Sequence, residues 1–382
     1  MVTDSRIVEG SDTRYNFIAV WANDLGITAI EFLSSLDSIS KQPGWLYVLV
    51  ATTESIYVRS KGAFLGRLET SDPAPRRILW DSSQSPLLLQ NPTLKNIRIP
   101  KAANDILLHY VPLNNSRGIS LALRSARILA ILNHEDTIIN NSAYSKTGED
   151  ATWLYCPFNN GEIILKLWWV QHKEPNDDWS ALIVMTTQKV VWLGCYFAET
   201  FREWTQAVQI SSGPVRALFY SDPQVYGNQI IGAIPQYACN DVSYIFEATP
   251  PSYRFSMPMY GSSKFDWFYS EAPLSSVVQV QLCVDKGFCI GLLLRYENLD
   301  LRTLGEFRFD KAIDCTYNPR SILCIQQRKE SNETSNIQIE FSSLEPRIFQ
   351  KTTDHQVYGM DGIMVWWFGK ERSEIKILGP TT

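Results

Sequence analysis

The sequence predicts an all-β fold, a β-propeller of hairpin-rich blades. Short apolar runs alternate with polar turns, and no segment carries a sustained helical apolar stripe. Strand-favouring aromatic residues are abundant, with 12 Trp, 17 Tyr and 17 Phe. Many similar hairpins at short spacing are typical of architectures that repeat one small sheet. Because the hairpins keep no single period, two packed β-sandwich or barrel-like domains are the alternative.

The clearest element is the stretch 278–310, which predicts three successive strands. Val278, Val280 and Leu282 alternate with more polar residues in the period-two pattern of a half-buried strand. The remaining parts are a Lys286-Gly287 turn, a second strand over 289–294, a polar turn over 296–300 and a third strand over 304–309.

Similar patterns predict further hairpins along the chain. In order they are 17–21 with 27–30, 46–51 with 55–59, 106–111 with 118–123, 153–157 with 162–170, 182–185 with 190–195, and 215–220 with 229–234. Asn160-Gly161 predicts a type I′ turn, because this pair accepts the positive φ angles that the turn requires. Further strands are predicted over 322–326, 336–341, 362–368 and 374–378, and the best helix candidates are 28–36 and 197–206.

A chain of 382 residues is long enough for one large β domain. We expect a single propeller-like domain over 1–382, with any internal boundary in the irregular segment 238–276. That segment is rich in Pro, Ser and aromatic residues, and a long loop of this kind is commonly functional.

Charge and hydropathy exclude several partners. The formal net charge of -5 argues against nucleic acid or an anionic membrane surface. No run of about 18 apolar residues exists, so no membrane span is expected. The expected partners are apolar small-molecule substrates, with N-glycans as attached groups.

Cysteines and sequons indicate the compartment. The seven Cys include two close pairs around predicted hairpins, Cys283/Cys289 and Cys315/Cys324, which predict disulfides. N-x-S/T sequons lie at Asn114, Asn140 and Asn332. Together they favour a secreted or secretory-pathway protein whose signal sequence has been removed. A cytoplasmic protein is the alternative, since sequons arise by chance and buried Cys behaves as a small hydrophobe.

Most standard catalytic motifs are missing from the sequence. It holds no dinucleotide or phosphate-binding glycine loop, no HExxH, no GxSxG and no CxxC pair, so neither cofactor nor metal is expected. His109 is predicted inside a strand, where it is more simply a satisfied structural residue. His134 and His172 are predicted in solvated loops.

Aromatic clusters are the stronger candidates for binding. Trp168-Trp169 and Trp366-Trp367 are adjacent pairs on predicted strands, so one ring of each should face the core and the other should face out. An outward ring could stack on a neighbouring element, a sugar or an apolar ligand. The segment 253–269 mixes aromatic and Met residues with Lys264 and Asp266, which predicts either an apolar pocket with a few polar groups or an aromatic plug.

Four C-terminal stretches carry a resemblance: FYSEAPLSSVVQVQLC, CIGLLLRYEN, LGEFRFD and GIMVWWFG. They are similar to a segment that recurs in fungal proteins of mostly uncharacterised function. Across its length the chain also resembles the secreted fungal hetero-Diels–Alderases of tropolone–sesquiterpenoid biosynthesis, in size, all-β texture, aromatic richness, sequons and cysteine pairs. No catalytic motif of that family matches this chain residue by residue.

The resemblance implies a cofactor-free pericyclase. A hydroxymethyl tropolone would lose water to give an o-quinone methide, which would add across an alkene of a humulene-type macrocycle. Positioning of both partners can supply about 7–11 kcal/mol, and a donor and an acid would assist. The candidate catalytic residues are Lys264, Arg216, His109 and Tyr260, and the candidate substrate-binding residues are Tyr253, Met257, Phe265, Trp267 and Trp367.

Two other functions compete with this one. The stretch from Gly161 to Trp179 resembles a blade of the fungal fucose-type lectins, which implies a carbohydrate-binding propeller. A multivalent lectin should repeat the same Arg, Glu and Trp in each blade, and this chain does not. An adhesion or structural protein without a ligand is the third alternative.

Overall fold

The structure is a computed structural model, and its description covers many strand-rich stretches of the chain. They are residues 5–8, 17–23, 26–35, 45–50, 56–61, 64–70, 77–81, 105–124, 127–135, 144–145, 147–172, 180–195, 205–211, 213–221, 231–236, 267–317, 322–329, 335–342, 355–369 and 373–379. These described residues form 27 strands and no helix element, so the all-β prediction is confirmed.

The strands in chain order are β1 (Ser5–Val8), β2 (Phe17–Asn23), β3 (Gly26–Leu33), β4 (Trp45–Val50), β5 (Ile56–Lys61), β6 (Phe64–Thr70), β7 (Arg77–Trp80), β8 (Asp105–Pro112), β9 (Gly118–Arg124), β10 (Arg127–His134), β11 (Thr152–Pro157), β12 (Ile164–His172), β13 (Ser180–Thr186), β14 (Val190–Gly194), β15 (Thr205–Ser211), β16 (Val215–Ser221), β17 (Ile231–Pro235), β18 (Phe268–Pro273), β19 (Val277–Asp285), β20 (Phe288–Tyr296), β21 (Leu301–Gly305), β22 (Ala312–Tyr317), β23 (Ile322–Lys329), β24 (Ser335–Ser342), β25 (His355–Gly359), β26 (Ile363–Phe368) and β27 (Ser373–Leu378).

The chain divides into two compact units. Unit 1 comprises Met1–Pro112 and Ala217–Ile234, and unit 2 comprises Leu113–Arg216 and Pro235–Thr382. The expectation of one domain with a boundary in 238–276 stays a prediction, because residues 237–266 lie outside the described part of the chain.

Unit 1 is organised around a seven-stranded sheet, sheet B, in the order β17-β16-β8-β7-β4-β2-β3. β7 and β8 pair in parallel, while β2 pairs antiparallel with β3 and β4. Trp21, Trp80 and Phe219 belong to a buried cluster, and Val20 and Tyr47 belong to a second one. Strands buried on both faces read as continuous apolar runs. A separate sheet, sheet A, has the order β1-β5-β6.

Unit 2 contains five small sheets in the residues that are described, and none of them closes on itself. Their orders are β10-β9-β11 (sheet C), β14-β13-β12-β15 (sheet D), β18-β26-β27 (sheet E), β21-β20-β19-β22 (sheet F) and β24-β23-β25 (sheet G). All the strand pairs given for them are antiparallel, which fits the short turn-rich connections of the sequence.

The stretch 278–310 forms three strands, as predicted, with one shift in position. β19 and β20 pair across the Lys286-Gly287 turn, whose φ angles of 51° and 85° are those of a type I′ hairpin turn. The third strand is β21, which begins at Leu301 rather than at 304. Val278 is 39% exposed, although the pattern predicted it inward. Register shifts in the β19–β20 ladder account for the departure from strict alternation.

Three other predicted hairpins are confirmed by strand pairing: β2 with β3, β13 with β14, and β16 with β17. The C-terminal strands are confirmed as β23, β24, β26 and β27. The predicted helix over 28–36 is wrong, since β3 extends to Leu33. Of the helix predicted over 197–206, residues 196–204 lie outside the described part, and 205–206 begin β15.

Three predicted hairpins are wrong because their strands pair elsewhere. β4 pairs with β2 while β5 pairs with β1 and β6, so 46–51 and 55–59 belong to different sheets. β8 lies in sheet B and β9 in sheet C, and likewise β11 lies in sheet C and β12 in sheet D. Gly161 alone of the Asn160-Gly161 pair has a positive φ, of 74°, which rules out a type I′ turn.

Both tryptophan pairs are buried entirely, which corrects the expectation of an outward ring. Trp168 and Trp169 are each 6% exposed on β12, and Trp366 and Trp367 are each 0% exposed on β26. Both strands are interior to their sheets. The alternation prediction assumed one solvated face, but other elements cover both faces of these strands.

The predicted Cys283–Cys289 disulfide is wrong, since both residues are free, buried thiols. The register places Cys283 opposite Gly291 and Cys289 opposite Val284, so the two cysteines do not face each other. The Cys283 sulfur contacts the backbone N–H of Arg308 at 3.4 Å instead. Cys315 lies on β22 in sheet F and Cys324 on β23 in sheet G, so no hairpin joins them, and their side chains lie outside the description.

In the described part of the chain, no helix is long and apolar enough to cross a membrane.

Candidate functional site

The candidate site is a cavity of about 320 Å³ within unit 2, here called the His134 cavity. It takes its lining from sheets C and F and from the segments that flank their strands. The lining residues are Arg117, His134, Glu135, Tyr155, Phe158, Gln279, Gln281, Leu293, Arg295, Leu301 and Phe309. Its volume lies in the range of small-molecule sites, about 300–1,000 Å³.

A polar stripe forms one wall of the His134 cavity. Gln279 lies opposite Arg295 and Gln281 lies opposite Leu293 in the β19–β20 register, so these side chains share one face of sheet F. Both glutamines are half-buried. The side chains of Gln279, Gln281 and Arg295 make no hydrogen bond or ion pair in the described part of the chain. Their polar groups are therefore available to a ligand.

An aromatic wall completes the enclosure. The rings of Tyr155 and Phe309 meet edge to face, with centroids 4.9 Å apart. The Tyr155 hydroxyl donates to the Arg117 backbone carbonyl at 3.0 Å. Gly118 makes this packing possible, because a Cβ there would lie 2.6 Å from the Tyr155 ring. Sheet C therefore positions the Tyr155 part of the aromatic wall, while Phe309 comes from the segment between β21 and β22.

His134 ends β10 and is buried, which corrects the expectation of a solvated loop histidine. Its ring meets Tyr155 at 5.2 Å and Phe309 at 4.6 Å between centroids. Its Nε2 lies 2.7 Å from the Ser120 Oγ. Burial lowers the pKa of His134 to about 4, so the imidazole is neutral at physiological pH. A neutral imidazole offers one donor and one acceptor.

This arrangement suits an apolar ligand that carries oxygen atoms. The aromatic side chains offer stacking area, and the polar stripe offers amides and a guanidinium for carbonyl or anionic oxygens. In the residues described, no three His, Cys, Asp or Glu side chains converge as a metal site.

A second cavity of about 200 Å³, here called the Trp192 cavity, also lies in unit 2. Its polar lining includes Lys189, Trp192, Glu271 and Arg302. Lys189 is held there by the buried carboxylate of Glu162 at 3.3 Å. It also donates to the Pro157 carbonyl at 2.6 Å. Lys189 therefore serves the scaffold of this cavity rather than a ligand.

Of the predicted catalytic residues, the two that the structure describes, His109 and Arg216, line neither cavity. His109 lies on β8 in unit 1, where its Nδ1 is 3.1 Å from the Asp81 carboxylate and its ring contacts Trp45 and Tyr220. The His109 side chain thus has both a hydrogen-bond partner and ring contacts, which agrees with the prediction that it is a structural residue. Arg216 lies half-buried near the start of β16. Lys264 and Tyr260 lie outside the described residues.

Of the predicted substrate-binding residues, the structure describes Trp267 and Trp367. Trp267 and Trp367 belong to one buried cluster with Val365 and line neither cavity. Tyr253, Met257 and Phe265 lie outside the described residues. Among the sequons, Asn114 is exposed in the turn after β8, while Asn140 and Asn332 lie outside the description.

Sequence reasoning missed the His134 cavity, although two signals were present. The apolar pattern of β10 runs through to His134, which indicated a strand position rather than a loop. Gln279 and Gln281 alternate with the inward Val280 and Leu282, which placed two amides side by side on one face.

No known protein family matches the chain, and no curated protein matches it significantly.

Proposed function

We propose that the protein is a cofactor-free pericyclase, a hetero-Diels–Alderase that joins a tropolone-derived o-quinone methide to a humulene-type sesquiterpene. The observation that carries this proposal is the pairing of the aromatic wall with the polar stripe in the His134 cavity. A cycloaddition needs no nucleophile, so a site with positioning groups alone suffices.

Each wall has a role in the proposed reaction. Tyr155 and Phe309 would hold the planar seven-membered ring by stacking. Arg295 and Gln281 would donate to the tropolone oxygens and so draw electron density from the heterodiene. Leu293 and Leu301 supply apolar area for the terpene. Lys264 and Tyr260 stay candidates for the acid that assists loss of hydroxide.

The test is incubation of the protein with a hydroxymethyl tropolone and humulenol, with adduct measured by chiral chromatography. We expect one stereoisomer in excess over the spontaneous background. Gln281→Leu keeps the side-chain volume but removes the amide, so the rate should fall about tenfold, as expected for one lost hydrogen bond. Arg302→Ala in the Trp192 cavity is the matched control and should keep the rate. Racemic adduct at the background rate would refute the proposal.

A carbohydrate-binding function is the second candidate, located at the Trp192 cavity. This cavity brings together Trp192, Glu271 and Arg302, the residue types that the lectin alternative requires. The half-exposed Trp192 indole offers a stacking face for a sugar, and the Glu271 and Arg302 side chains offer hydrogen bonds to hydroxyls. A glycan array decides it: binding that Arg302→Ala abolishes and Gln281→Leu preserves would favour the lectin.

We infer further that the five sheets of unit 2 are the blades of a propeller. Contacts link sheet C to D, D to E, E to G, G to F and F back to C, which is the neighbour order of a ring. Packing of β21 against β18 and β26 favours the sandwich alternative at that point. A crystal structure with five sheets radiating from one axis would support the propeller, and two face-to-face sheet stacks would refute it.

We also propose that the protein belongs to the secretory pathway. The exposed position of Asn114 supports glycan attachment there. Expression through a eukaryotic secretory route followed by glycosidase treatment should lower the mass, and Asn114→Gln should remove one glycan. An unchanged mass would contradict modification of Asn114.

A further inference from the structure

The two ring nitrogens of His134 face different surroundings. Nε2 lies 2.7 Å from the Ser120 hydroxyl. Nδ1 has no hydrogen-bond partner in the described part of the chain. It is not one of the unpaired polar atoms that are closed off from solvent. Because His134 lines the His134 cavity, Nδ1 opens toward that space.

Ser120 is enclosed completely, with 0% exposure, so its hydroxyl proton needs an acceptor inside the protein. The hydroxyl of Tyr144 lies beside Ser120, and burial raises the pKa of Tyr144 to about 12, so it stays a protonated donor. This hydroxyl is buried without a well-directed hydrogen bond. Rotation toward Ser120 would satisfy it, and Ser120 would then donate to His134 Nε2.

We propose that Ser120 fixes His134 as the Nδ1-protonated tautomer, so that His134 donates a hydrogen bond into the His134 cavity to an acceptor oxygen of the ligand. Ser120 is a positioning residue, and Tyr144 supports it from behind. In the reverse tautomer Nε2–H would donate to Ser120, whose proton would turn to the Tyr144 oxygen, and the buried Tyr144 proton would then have no acceptor. That tautomer would also present the cavity with an unprotonated nitrogen. The ligand half of this inference rests on the proposed function, whereas the tautomer half does not.

The surroundings of His134 keep its imidazole neutral at neutral pH. The charged groups that share its cavity are Arg117, Arg295 and Glu135. Behind Ser120 lie Tyr144 and the ion pair of Arg308 with Asp310, at 2.6 Å. Tyr155 and Phe309 cover the ring faces. Burial is the cause of the low pKa of about 4, so the neutral donor persists from about pH 5 upward.

The first test is nitrogen-15 NMR on the intact protein labelled at histidine. The chain has four His, and the signals of His134 are identified by their loss in His134→Gln. We expect a protonated Nδ1 and a bare Nε2 at pH 7, with no titration above about pH 5. A protonated Nε2, or an ordinary titration near pH 6.5, would overturn the proposal.

The second test removes the positioning hydroxyl. Ser120→Ala should give a mixture of the two tautomers, and Ser120→Thr, which keeps the hydroxyl, should restore the single form. A variant that merely loosened the fold would lower the free energy of unfolding in urea, and Ser120→Thr would then not restore the single tautomer. Unchanged His134 signals in Ser120→Ala would overturn the role of Ser120.

The ligand half is tested by titration with tropolone. Binding should shift the Nδ1–H signal, and affinity should fall about tenfold in Ser120→Ala and in His134→Gln, as for one lost hydrogen bond. If the tautomer is as stated but tropolone leaves Nδ1–H unshifted, the donor role toward this ligand is refuted. If the shift occurs but no cycloaddition is catalysed, the proposed function fails and the donor site stands.

Discussion

At the scale of single residues, the chemistry of this protein is set by burial. Cys156, Cys283, Tyr155 and Glu306 all lose water on folding, and each is shifted toward its neutral form. His134 follows the same rule, with its pKa moved down rather than up. At these five positions burial therefore favours neutral donors and acceptors over charged forms.

Glu306 should make stability depend on pH. Burial raises its pKa to about 7, and its Oε1 accepts the Trp153 backbone N–H at 3.1 Å. The folded state binds this proton more tightly than the unfolded chain, where the pKa is near 4.5. The free energy of unfolding should therefore fall as pH rises from about 4.5 through 7, by on the order of 3 kcal/mol.

Urea unfolding between pH 4.5 and 8 measures this dependence. Glu306→Gln should flatten the profile, because the amide keeps an acceptor and does not titrate. Equal pH slopes in the two proteins would show that Glu306 is not responsible.

The buried thiols should resist modification in the folded protein. Burial raises the pKa of Cys156 and of Cys283 to about 12, and raises that of Cys289 as well. A protonated, enclosed thiol is a poor nucleophile. Alkylation with peptide mapping should leave all three unmodified until denaturant is added. A Cys283–Cys289 disulfide in the mapped peptides would contradict the structure.

Gly291 lies directly against the backbone of Glu306. A Cβ there would be 1.9 Å from the Glu306 carbonyl oxygen, so Gly291→Ala must displace main chain. We expect a loss of about 3 kcal/mol in unfolding free energy. Gly213→Ala is the control, because no atom lies within 4 Å of its added Cβ. A similar effect from both substitutions would refute the steric account.

At the scale of elements, one buried network ties three turns together. The Glu162 carboxylate accepts from the Asn159 backbone N–H at 2.7 Å and pairs with Lys189 at 3.3 Å. Asn159 in turn accepts from the Leu301 backbone N–H at 2.9 Å. The turns before β12, after β13 and before β21 are thus fixed by shared hydrogen bonds rather than by strand pairing.

Lys189→Met should destabilise this network strongly. The Glu162 side chain is 0% exposed, so removal of the cation leaves an uncompensated buried charge, at a cost of about 3–5 kcal/mol. Adding Glu162→Gln should recover part of the loss in thermal unfolding. Lys376→Met breaks the exposed ion pair with Glu374 and should change stability by less than about 1 kcal/mol. Equal losses in the two single variants would contradict the argument.

At the scale of the whole molecule, the chain leaves unit 1 at Pro112 and returns to it at Ala217. β16 then completes sheet B by pairing with β8, with Pro112 opposite Ala217. Ala217, Phe219 and Ile234 also belong to the core of that sheet. Unit 1 is therefore unfinished without residues that follow more than a hundred positions later.

A shortened chain tests this organisation. The Leu113 N–H donates to the Arg216 carbonyl at 2.8 Å, so residues 1–113 can be joined to 216–234 through an Asn-Gly turn. We expect this chain to unfold cooperatively with a strand-type circular dichroism spectrum. Residues 1–113 alone should show neither, because the edge of β8 and part of the core are exposed. Equivalent behaviour of the two chains would refute the dependence on β16 and β17.

Local patterns predicted the strands well because alternation is a short-range property. β13, β19 and β26 lie close to where their apolar runs placed them. Pairing was predicted less well: β8 and β9 follow each other across a tight turn, yet they belong to different sheets. Which strand a given edge accepts depends on packing between residues far apart in sequence.

The candidate site could not be predicted from the sequence, because it also depends on packing between residues far apart in the chain. Its walls come from residues 117–135, 155–158 and 279–309, which no motif connects. The sequence pointed to aromatic residues, and the structure places Trp267, Trp366 and Trp367 of that set in the core. The groups left facing space were amides and one histidine, residue types whose role depends on their surroundings.

The interrupted path of unit 1 also has a consequence for its synthesis. As the chain leaves the ribosome, the edge of β8 that pairs with β16 has no partner strand until some hundred further residues have been added. At cellular elongation rates this wait is on the order of ten seconds. During that time the apolar half-sheet is a target for chaperones and for pairing with other nascent chains, so the yield of folded protein should depend on how quickly residues 113–216 are translated.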